Sequence, residues 1–88
     1  MGNENSQTTV SDIAPSADTL TDYDRAHLIT YLRLLDAEAD KAPWQEVVAI
    51  VLGIHPGHEV ERARRAYETH LERAHWMAKH GYMQLLRP

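Results

Sequence analysis

The sequence has no cysteine, no long apolar run and no excess of basic side chains. Without cysteine the chain has no disulfide, no thiolate nucleophile and no cysteine-based zinc site, which fits a reducing cytosol. No stretch approaches the roughly 18 apolar residues of a membrane span, and the N-terminus lacks the basic and apolar regions of a secretory signal. These absences predict a cytoplasmic protein without a membrane partner.

The charge balance argues against a dedicated DNA-binding domain. The chain has 13 acidic and 9 basic side chains, a net charge of −4. Residues 1–21 contain Glu4, Asp12 and Asp18 but no lysine or arginine, so the remainder is nearly neutral. Proteins that bind DNA normally collect unpaired basic side chains on one face, since phosphate contacts supply most of the affinity.

Composition divides the chain into a tail and one domain. Residues 1–21 have only Val10, Ile13 and Leu20 as sizeable apolar side chains, scattered among polar residues and Pro15. Burial of so few groups does not offset the entropy of ordering the chain, which predicts a disordered acidic tail over residues 1–21. Residues 22–88 are predicted to form a single helix-turn-helix-like domain.

Apolar residues at helical spacing predict an all-α fold, a small three-helix bundle. The first helix covers about residues 23–39, and its predicted buried stripe is Leu28, Leu32, Leu35 and Ala39. A second stripe on this helix, of partly apolar character, has no assigned role: Tyr23, His27, Thr30 and Leu34. The second helix covers about residues 43–52, because Pro43 suits a first turn and Gly53 can end a helix in positive φ.

The third predicted helix covers about residues 58–80, with Gly81 as its C-terminal stop. Its predicted core line has a spacing of three or four residues and ends near the stop: Val60, Ala63, Tyr67, Leu71, Ala74 and Ala78. Residues 82–86 form a short apolar C-terminal segment, which we expect to fold back over the open end of the bundle.

Ala49, Gly53 and Ile54 have the spacing of a helix-turn-helix unit. In such units a small residue four positions before the turn glycine lets two helices cross closely, and an apolar residue after the glycine plugs the turn. The next expected core residue, Val60, comes one position late, which predicts an extended turn. The alternative is a three-helix bundle with a coincidental alanine and glycine at this spacing.

A DNA-binding interpretation assigns base and phosphate contacts to the third helix. The candidate side chains are Arg62, Arg64, Arg65 and Thr69. Glu61 and Glu68 lie three or four residues from Arg64 and Arg65, the separations at which helical side chains pair. These arginines are therefore predicted to be neutralised within the helix, leaving an ordinary solvated face.

Trp76 is predicted to point away from the core line of the third helix. Two explanations remain open. The C-terminal segment covers the indole through Tyr82 and Met83, or the indole is exposed as an anchor for another protein.

The histidines and carboxylates do not form a recognisable catalytic or metal-binding pattern. His55 and His58 flank a proline and a glycine in the predicted turn, but no cysteine or second carboxylate completes a ligand set. The sequence also lacks a phosphate-binding glycine loop and a serine, histidine and aspartate arrangement. We therefore expect a non-enzymatic protein with no cofactor, no metal and no small-molecule substrate.

Three segments resemble a proteobacterial family labelled as domain of unknown function 2285, found in regulators of integrative and conjugative elements. The segments that carry this resemblance are Tyr23-Asp24-Arg25-x-His27-Leu28, Trp44-Gln45-Glu46-Val47, and the run from Arg62 to Tyr82 with its Trp76-Met77-x-x-x-Gly81-Tyr82 ending. The resemblance covers about Asp22 to Arg87. It implies an extended-turn helix-turn-helix, and the short chain with only a tail before its domain is similar to the QseM-like antiactivator members.

The resemblance implies a transcriptional antiactivator whose partner is a transcriptional activator protein. Such a protein binds the activator and blocks excision and conjugative transfer of the element, by mimicry of the activator's own helix-turn-helix domain. The candidate protein-binding surface lies opposite the third helix: Tyr23, Leu34, Trp76, Tyr82 and Met83. The alternative is a weak sequence-specific DNA-binding repressor. The acidic balance makes DNA binding the less expected of the two.

Overall fold

The structure, a computed structural model, describes residues 10–86, and these are helical with no strand among them. Helix α1 spans Asp22–Ala26, α2 spans Leu28–Ala39, and α3 spans Trp44–Val47 and continues through a π-helical turn, Val48–Leu52. Helix α4 spans Val60–Trp76 and continues through a second π-helical turn, Met77–Gly81, into α5, Tyr82–Leu86. The predicted all-α bundle is confirmed, and no helix of this described part is long and apolar enough to cross a membrane.

The first predicted helix is divided into α1 and α2 by His27, whose φ of −120° departs from helical geometry. A capping box begins α1: the Thr21 hydroxyl accepts from the Asp24 N–H at 3.1 Å, and the Asp24 carboxylate accepts from the Thr21 N–H at 2.9 Å. This reciprocal pair satisfies two amide groups that the helix leaves without partners.

The turn between α3 and α4 runs from Gly53 to Glu59, longer than the three or four residues usual in a helix-turn-helix. Gly53 takes the predicted positive φ, at 71°, and Ile54 is buried as the predicted plug. Ala49, in contrast, is exposed, so it is not the small residue at a helix crossing. Val48 and Leu52 are buried in its place.

The most buried stripe of the first helical segment differs from the predicted one. Asp24, His27, Tyr31 and Leu34 are buried at spacings of three, four and three, and three of these side chains are polar. Of the predicted stripe, Leu28 and Leu35 are half-buried against the core, whereas Leu32 and Ala39 are exposed. Leu34 is 1% exposed and belongs to the core, which corrects its assignment to a partner-binding surface.

Helix α4 likewise buries a face that combines small and polar side chains. Its buried positions are Ala63, Ala66, His70, Arg73 and Ala74, followed by Met77 in the π-helical turn. Tyr67 and Leu71 are half-buried against this core, as predicted. Val60 is 55% exposed and Ala78 is also exposed, so neither belongs to the core line.

The N-terminal segment packs on the domain from residue 10 onward, where a disordered tail was expected. Val10 and Ala14 are both buried, and Leu20 packs against the core. The Gln84 side chain in α5 accepts from the Leu20 N–H at 2.9 Å and donates to the Asp18 carbonyl at 3.4 Å. This part of the chain is held between α4 and α5. Residues 1–9, the rest of the predicted tail, lie outside the described residues.

A buried ion pair joins α1 to α4. Arg73 Nε donates to Asp24 Oδ1 at 3.0 Å and Arg73 Nη2 donates to Asp24 Oδ2 at 2.7 Å, with side chains 3% and 0% exposed. The Tyr31 hydroxyl donates to the same carboxylate at 2.8 Å. Two-point contact of this kind is the strong form of a charged hydrogen bond.

The remaining Arg73 donors hold the N-terminal segment. Nη1 donates to the Ala17 carbonyl at 2.6 Å and Nη2 donates to the Thr19 carbonyl at 3.0 Å. The guanidinium also lies 3.8 Å from the centre of the Trp76 ring, in cation–π geometry. Arg73 therefore connects the N-terminal segment, α1 and α4.

Replacing Arg73→Met should lower the free energy of unfolding by about 3–5 kcal/mol, because it leaves the Asp24 carboxylate buried without its cation. Urea unfolding followed by circular dichroism measures this change. The matched control is Arg65→Met, which removes an exposed guanidinium from the same helix and should change stability by less than about 0.5 kcal/mol. Equal effects of the two substitutions would contradict a structural role for the ion pair.

Acid should weaken the fold through Asp24. Burial opposes ionisation of this carboxyl, but hydrogen bonds from Arg73, the Thr21 backbone and Tyr31 outweigh it and lower the pKa from 3.8 to about 2. The unfolded chain therefore takes up this proton first, so the stabilisation is complete above about pH 4 and is lost as pH falls toward 2. Asp24→Asn should remove this component of the pH dependence of unfolding, whereas exposed Asp22→Asn should retain it.

Candidate regulatory surface on α4

One face of α4 carries Arg62, Thr69 and Trp76, which lie seven residues apart and therefore two helical turns apart. This face also includes Arg65, so it holds three of the four candidate DNA-contacting side chains and one candidate protein anchor. In the structure, residues 10–16 lie along it.

Arg62 is paired at both ends of its guanidinium. Its Nε donates to Asp12 Oδ1 at 2.6 Å, and its Nη1 donates to Glu59 Oε1 at 2.9 Å. The hydrogen bonds to Asp12 and Glu59 raise the pKa of Arg62 above its usual value. A phosphate would have to displace two carboxylates to reach this side chain.

Thr69 is also occupied by the N-terminal segment. Its hydroxyl accepts from the Ala14 N–H at 3.1 Å and donates to the Arg65 carbonyl at 3.0 Å. The hydroxyl therefore both accepts and donates within the chain.

Arg64 and Arg65 are exposed. Arg65 lies three residues after Arg62 and four before Thr69, on the same side of the helix, whereas Arg64 lies on another side. Arg64 Nε donates to Glu68 Oε2 at 2.9 Å, as the spacing predicts, and its guanidinium lies 5.0 Å from the centre of the Trp44 ring. Within residues 10–86, Arg65 makes no ion pair. The four candidate DNA-contacting side chains thus do not form one free basic face.

Tyr23 turns inward and connects α1, α4 and the N-terminal segment. Its hydroxyl accepts from the Ser11 N–H at 2.9 Å and lies 2.5 Å from His70 Nε2. His70 is buried, which lowers its pKa, and its Nδ1 lies 2.7 Å from the Ala66 carbonyl. In the neutral ring Nδ1–H donates to this carbonyl and Nε2 accepts from Tyr23, whose ring stacks on His27 at 4.0 Å.

Trp76 is half-buried, and its surroundings differ from both predicted alternatives. The indole packs against the core, with Arg73 over its face. A cleft of about 240 Å³ lies beside it, bounded by Ile13 and Pro15 on one side and by Thr69 and Trp76 on the other. The N-terminal segment therefore borders this tryptophan on the side of the cleft.

The C-terminal segment supplies the exposed apolar part of the candidate surface. Tyr82 is half-buried, and within residues 10–86 its buried hydroxyl has no hydrogen-bond partner. Met83 is 57% exposed and Leu86 is more exposed still. Of the five predicted protein-binding residues, Met83 is the one that is largely accessible.

Sequence reasoning missed Asp12 and Ala14 as contacts of α4. No local signal in the sequence marks these two residues, because their partners Thr69 and Arg62 lie 55 and 50 positions away along the chain. The buried role of Arg73 was missed as well, because it sits among charged residues in the sequence.

Gly81 provides space for Trp76, and it does not stop the helix as predicted. A Cβ atom built on Gly81 would lie 2.7 Å from Cζ3 of the Trp76 ring and would overlap the buried Met77 sulfur. Gly81→Ala should therefore lower the free energy of unfolding by about 1–3 kcal/mol. Thermal unfolding measures the loss, and exposed Lys79→Ala in the same turn is the control. A neutral Gly81→Ala would show that the indole is not confined here.

Comparison with known proteins identifies a regulatory family. No protein of curated function matches the chain. A sequence profile described as "T6SS, Transcription factor, DNA binding domain" matches residues 3–87, nearly the whole chain. The match supports the expected transcription-regulator domain. The profile describes a DNA-binding domain and no enzyme. It does not name the antiactivator family that the sequence resembles. The chain belongs to this RovC_DNA-bd family of transcription factor DNA-binding domains.

Proposed function

We propose that this domain regulates transcription by binding a transcriptional activator protein, as an antiactivator that mimics the activator's own helix-turn-helix domain. In this proposal the activator is one that drives excision and conjugative transfer of an integrative and conjugative element. Family membership supports the regulatory role. The internal pairing of side chains on α4 supports regulation by protein binding instead of DNA binding.

The observation that carries the proposal is the internal engagement of the candidate DNA-contacting side chains. Arg62 is bound by Asp12 and Glu59, and Arg64 is bound by Glu68. Thr69 is bound by the Ala14 amide. Non-specific DNA affinity requires cations that are free to replace counterions at phosphates, and α4 offers few of them.

The surface charge supports the same route. Residues 10–86 contain twelve acidic and eight basic side chains, and burial of the Asp24–Arg73 pair leaves the exposed surface with an acidic excess. A phosphate backbone, which carries a charge at every nucleotide, would be repelled by such a surface.

Mimicry needs the shape of a helix-turn-helix without its DNA affinity. The α3 to α4 unit keeps the positive-φ glycine and the buried Ile54 of the motif. Its helix α4 has paired arginines. Exposed Met83 and Leu86 in α5 provide apolar contact area outside this unit.

DNA binding is the second candidate function, and the description of the family favours it. In that case Arg65, which is exposed and without an ion pair in the described residues, is the side chain expected to reach phosphate or a base edge. This alternative requires release of Arg62 and Thr69 from residues 10–16.

A capture experiment beside a mobility shift separates the two functions. The full chain is used to pull down candidate element-encoded activators, and the same protein is titrated into element promoter DNA at low salt. The proposal expects activator capture that survives the double substitution Arg64→Glu with Arg65→Glu. Capture should fall at least about tenfold with Met83→Asp, because a charge is placed in the apolar contact, equivalent to about 1.4 kcal/mol.

Exposed Gln45→Asp on α3 is the matched control for Met83→Asp and should leave capture unchanged. A sequence-specific DNA shift that Arg65→Ala abolishes, with no activator captured, would overturn the proposal in favour of DNA binding.

A further inference from the structure

We propose that residues 10–16 act as an internal ligand in a peptide-binding groove, and that the partner protein inserts an acidic segment of its own in their place. The groove is the α4 face of Arg62, Thr69 and Trp76 together with the Tyr23 hydroxyl. This inference rests on the proposed function for the identity of the partner, and it adds where and how that partner binds.

The contacts of residues 10–16 are those of a bound peptide. Main-chain N–H groups of Ser11 and Ala14 donate to side-chain oxygens of Tyr23 and Thr69, at 2.9 Å and 3.1 Å. These contacts involve the backbone alone, so a segment of another sequence that follows the same bent course can reproduce them. Recognition of a side chain comes from Asp12, which meets Arg62 at 2.6 Å.

Val10, Asp12 and Ala14 alternate toward the domain, and both apolar members are buried. The backbone bends at Asp12 and Ile13, and the Ile13 side chain is exposed. The groove therefore selects an apolar residue, a carboxylate and a small apolar residue at every second position.

The contact that recognises the Asp12 side chain is weak, whereas the hydrogen bonds that join the end of the segment to the domain are buried. Arg62 and Asp12 are 37% and 59% exposed, and an ion pair so accessible to water contributes little to stability. The carbonyls of Ala17 and Thr19 are bound by buried Arg73. Release of residues 10–16 therefore ends at Ala17. It exposes Val10 and Ala14 but leaves the contact between Asp24 and Arg73 in place.

The groove is incompletely filled by its internal ligand. The cleft of about 240 Å³ between Ile13 and Trp76 has room for a further apolar side chain. A partner segment with a larger residue in this place gains contact area that the chain's own segment lacks, which favours exchange.

The charge of the groove selects a protein segment over a nucleic acid. Arg62 presents the cation that a carboxylate needs, but Glu59 bonds the same guanidinium and Glu72 lines the cleft. A single carboxylate can bind Arg62 without approaching Glu72. A run of phosphates would lie against both Glu59 and Glu72 and would be repelled by their negative charges.

A peptide of residues 10–17 (VSDIAPSA) is the probe, and the full chain carrying Asp12→Arg is the receptor, because like charge at Arg62 releases the internal segment. Two-dimensional NMR should show saturable shifts of the Trp76 indole N–H and the Arg62 Nε–H. Binding to the unsubstituted chain should be at least about tenfold weaker, since the internal segment competes. The Trp44 indole, packed against Tyr67 elsewhere on α4, should not move.

Two controls test the charge match. The peptide carrying Asp12→Arg should not bind, and the chain carrying both Asp12→Arg and Arg62→Asp should restore the closed state and exclude the original peptide. Absence of shifts at Trp76 and Arg62 in the Asp12→Arg chain would overturn the groove, as would loss of the folded state in that variant. Shifts at both groups with promoter duplex but not with peptide would assign the face to DNA and also overturn it.

Activator capture distinguishes this inference from the proposed function. If the peptide binds and no activator is captured, the groove stands and the proposed function fails. If the activator is captured equally by the unsubstituted and Asp12→Arg chains, and the peptide does not compete, the proposed function stands and the groove fails.

Discussion

The buried contact between Asp24 and Arg73 is the constraint on which the rest of the structure depends. It joins α1 to α4, and the same guanidinium binds the carbonyls of Ala17 and Thr19. An isolated charge in this position would cost several kcal/mol, so the two side chains and their hydrogen-bond partners must assemble together. The course of the N-terminal segment, the position of α1 and the environment of Trp76 follow from this assembly.

Because Arg73 directs the chain from Ala17 toward α1, the preceding residues run along α4 and not away from it. Asp12 and Ala14 then meet Arg62 and Thr69, the side chains that a DNA-binding role would require. The α3 to α4 unit keeps the positive-φ glycine and the buried Ile54 of a helix-turn-helix, while Arg62 and Thr69 are already occupied. The proposed regulation through a protein partner is compatible with both observations.

The helices were predictable from the sequence because their signals are local: the capping residues before α1, Pro43 before α3, and Gly53 with positive φ after it. Which face of each helix is buried was harder to predict from the sequence. Apolar periodicity selected Leu32 and Val60, yet polar His70 and Arg73 are buried through partners remote in sequence. The packed N-terminal segment was beyond local reasoning, since its order depends on those contacts and not on its own hydrophobicity. Leu34 was assigned to the partner surface and is instead part of the core, because its buried stripe consists mostly of polar residues.

The most direct test of the central claim is the salt dependence of DNA affinity for the full chain, measured by fluorescence anisotropy with duplex DNA. For a duplex, the logarithm of the binding constant falls with the logarithm of salt concentration by about 0.9 per phosphate contact. Since Arg62 and Arg64 are paired within the chain and Arg73 is buried, the account predicts a slope no steeper than about −2 and weak binding at every salt concentration. Tight binding with a slope near −6, lost on Arg65→Ala, would show that α4 engages the phosphate backbone and would contradict the account.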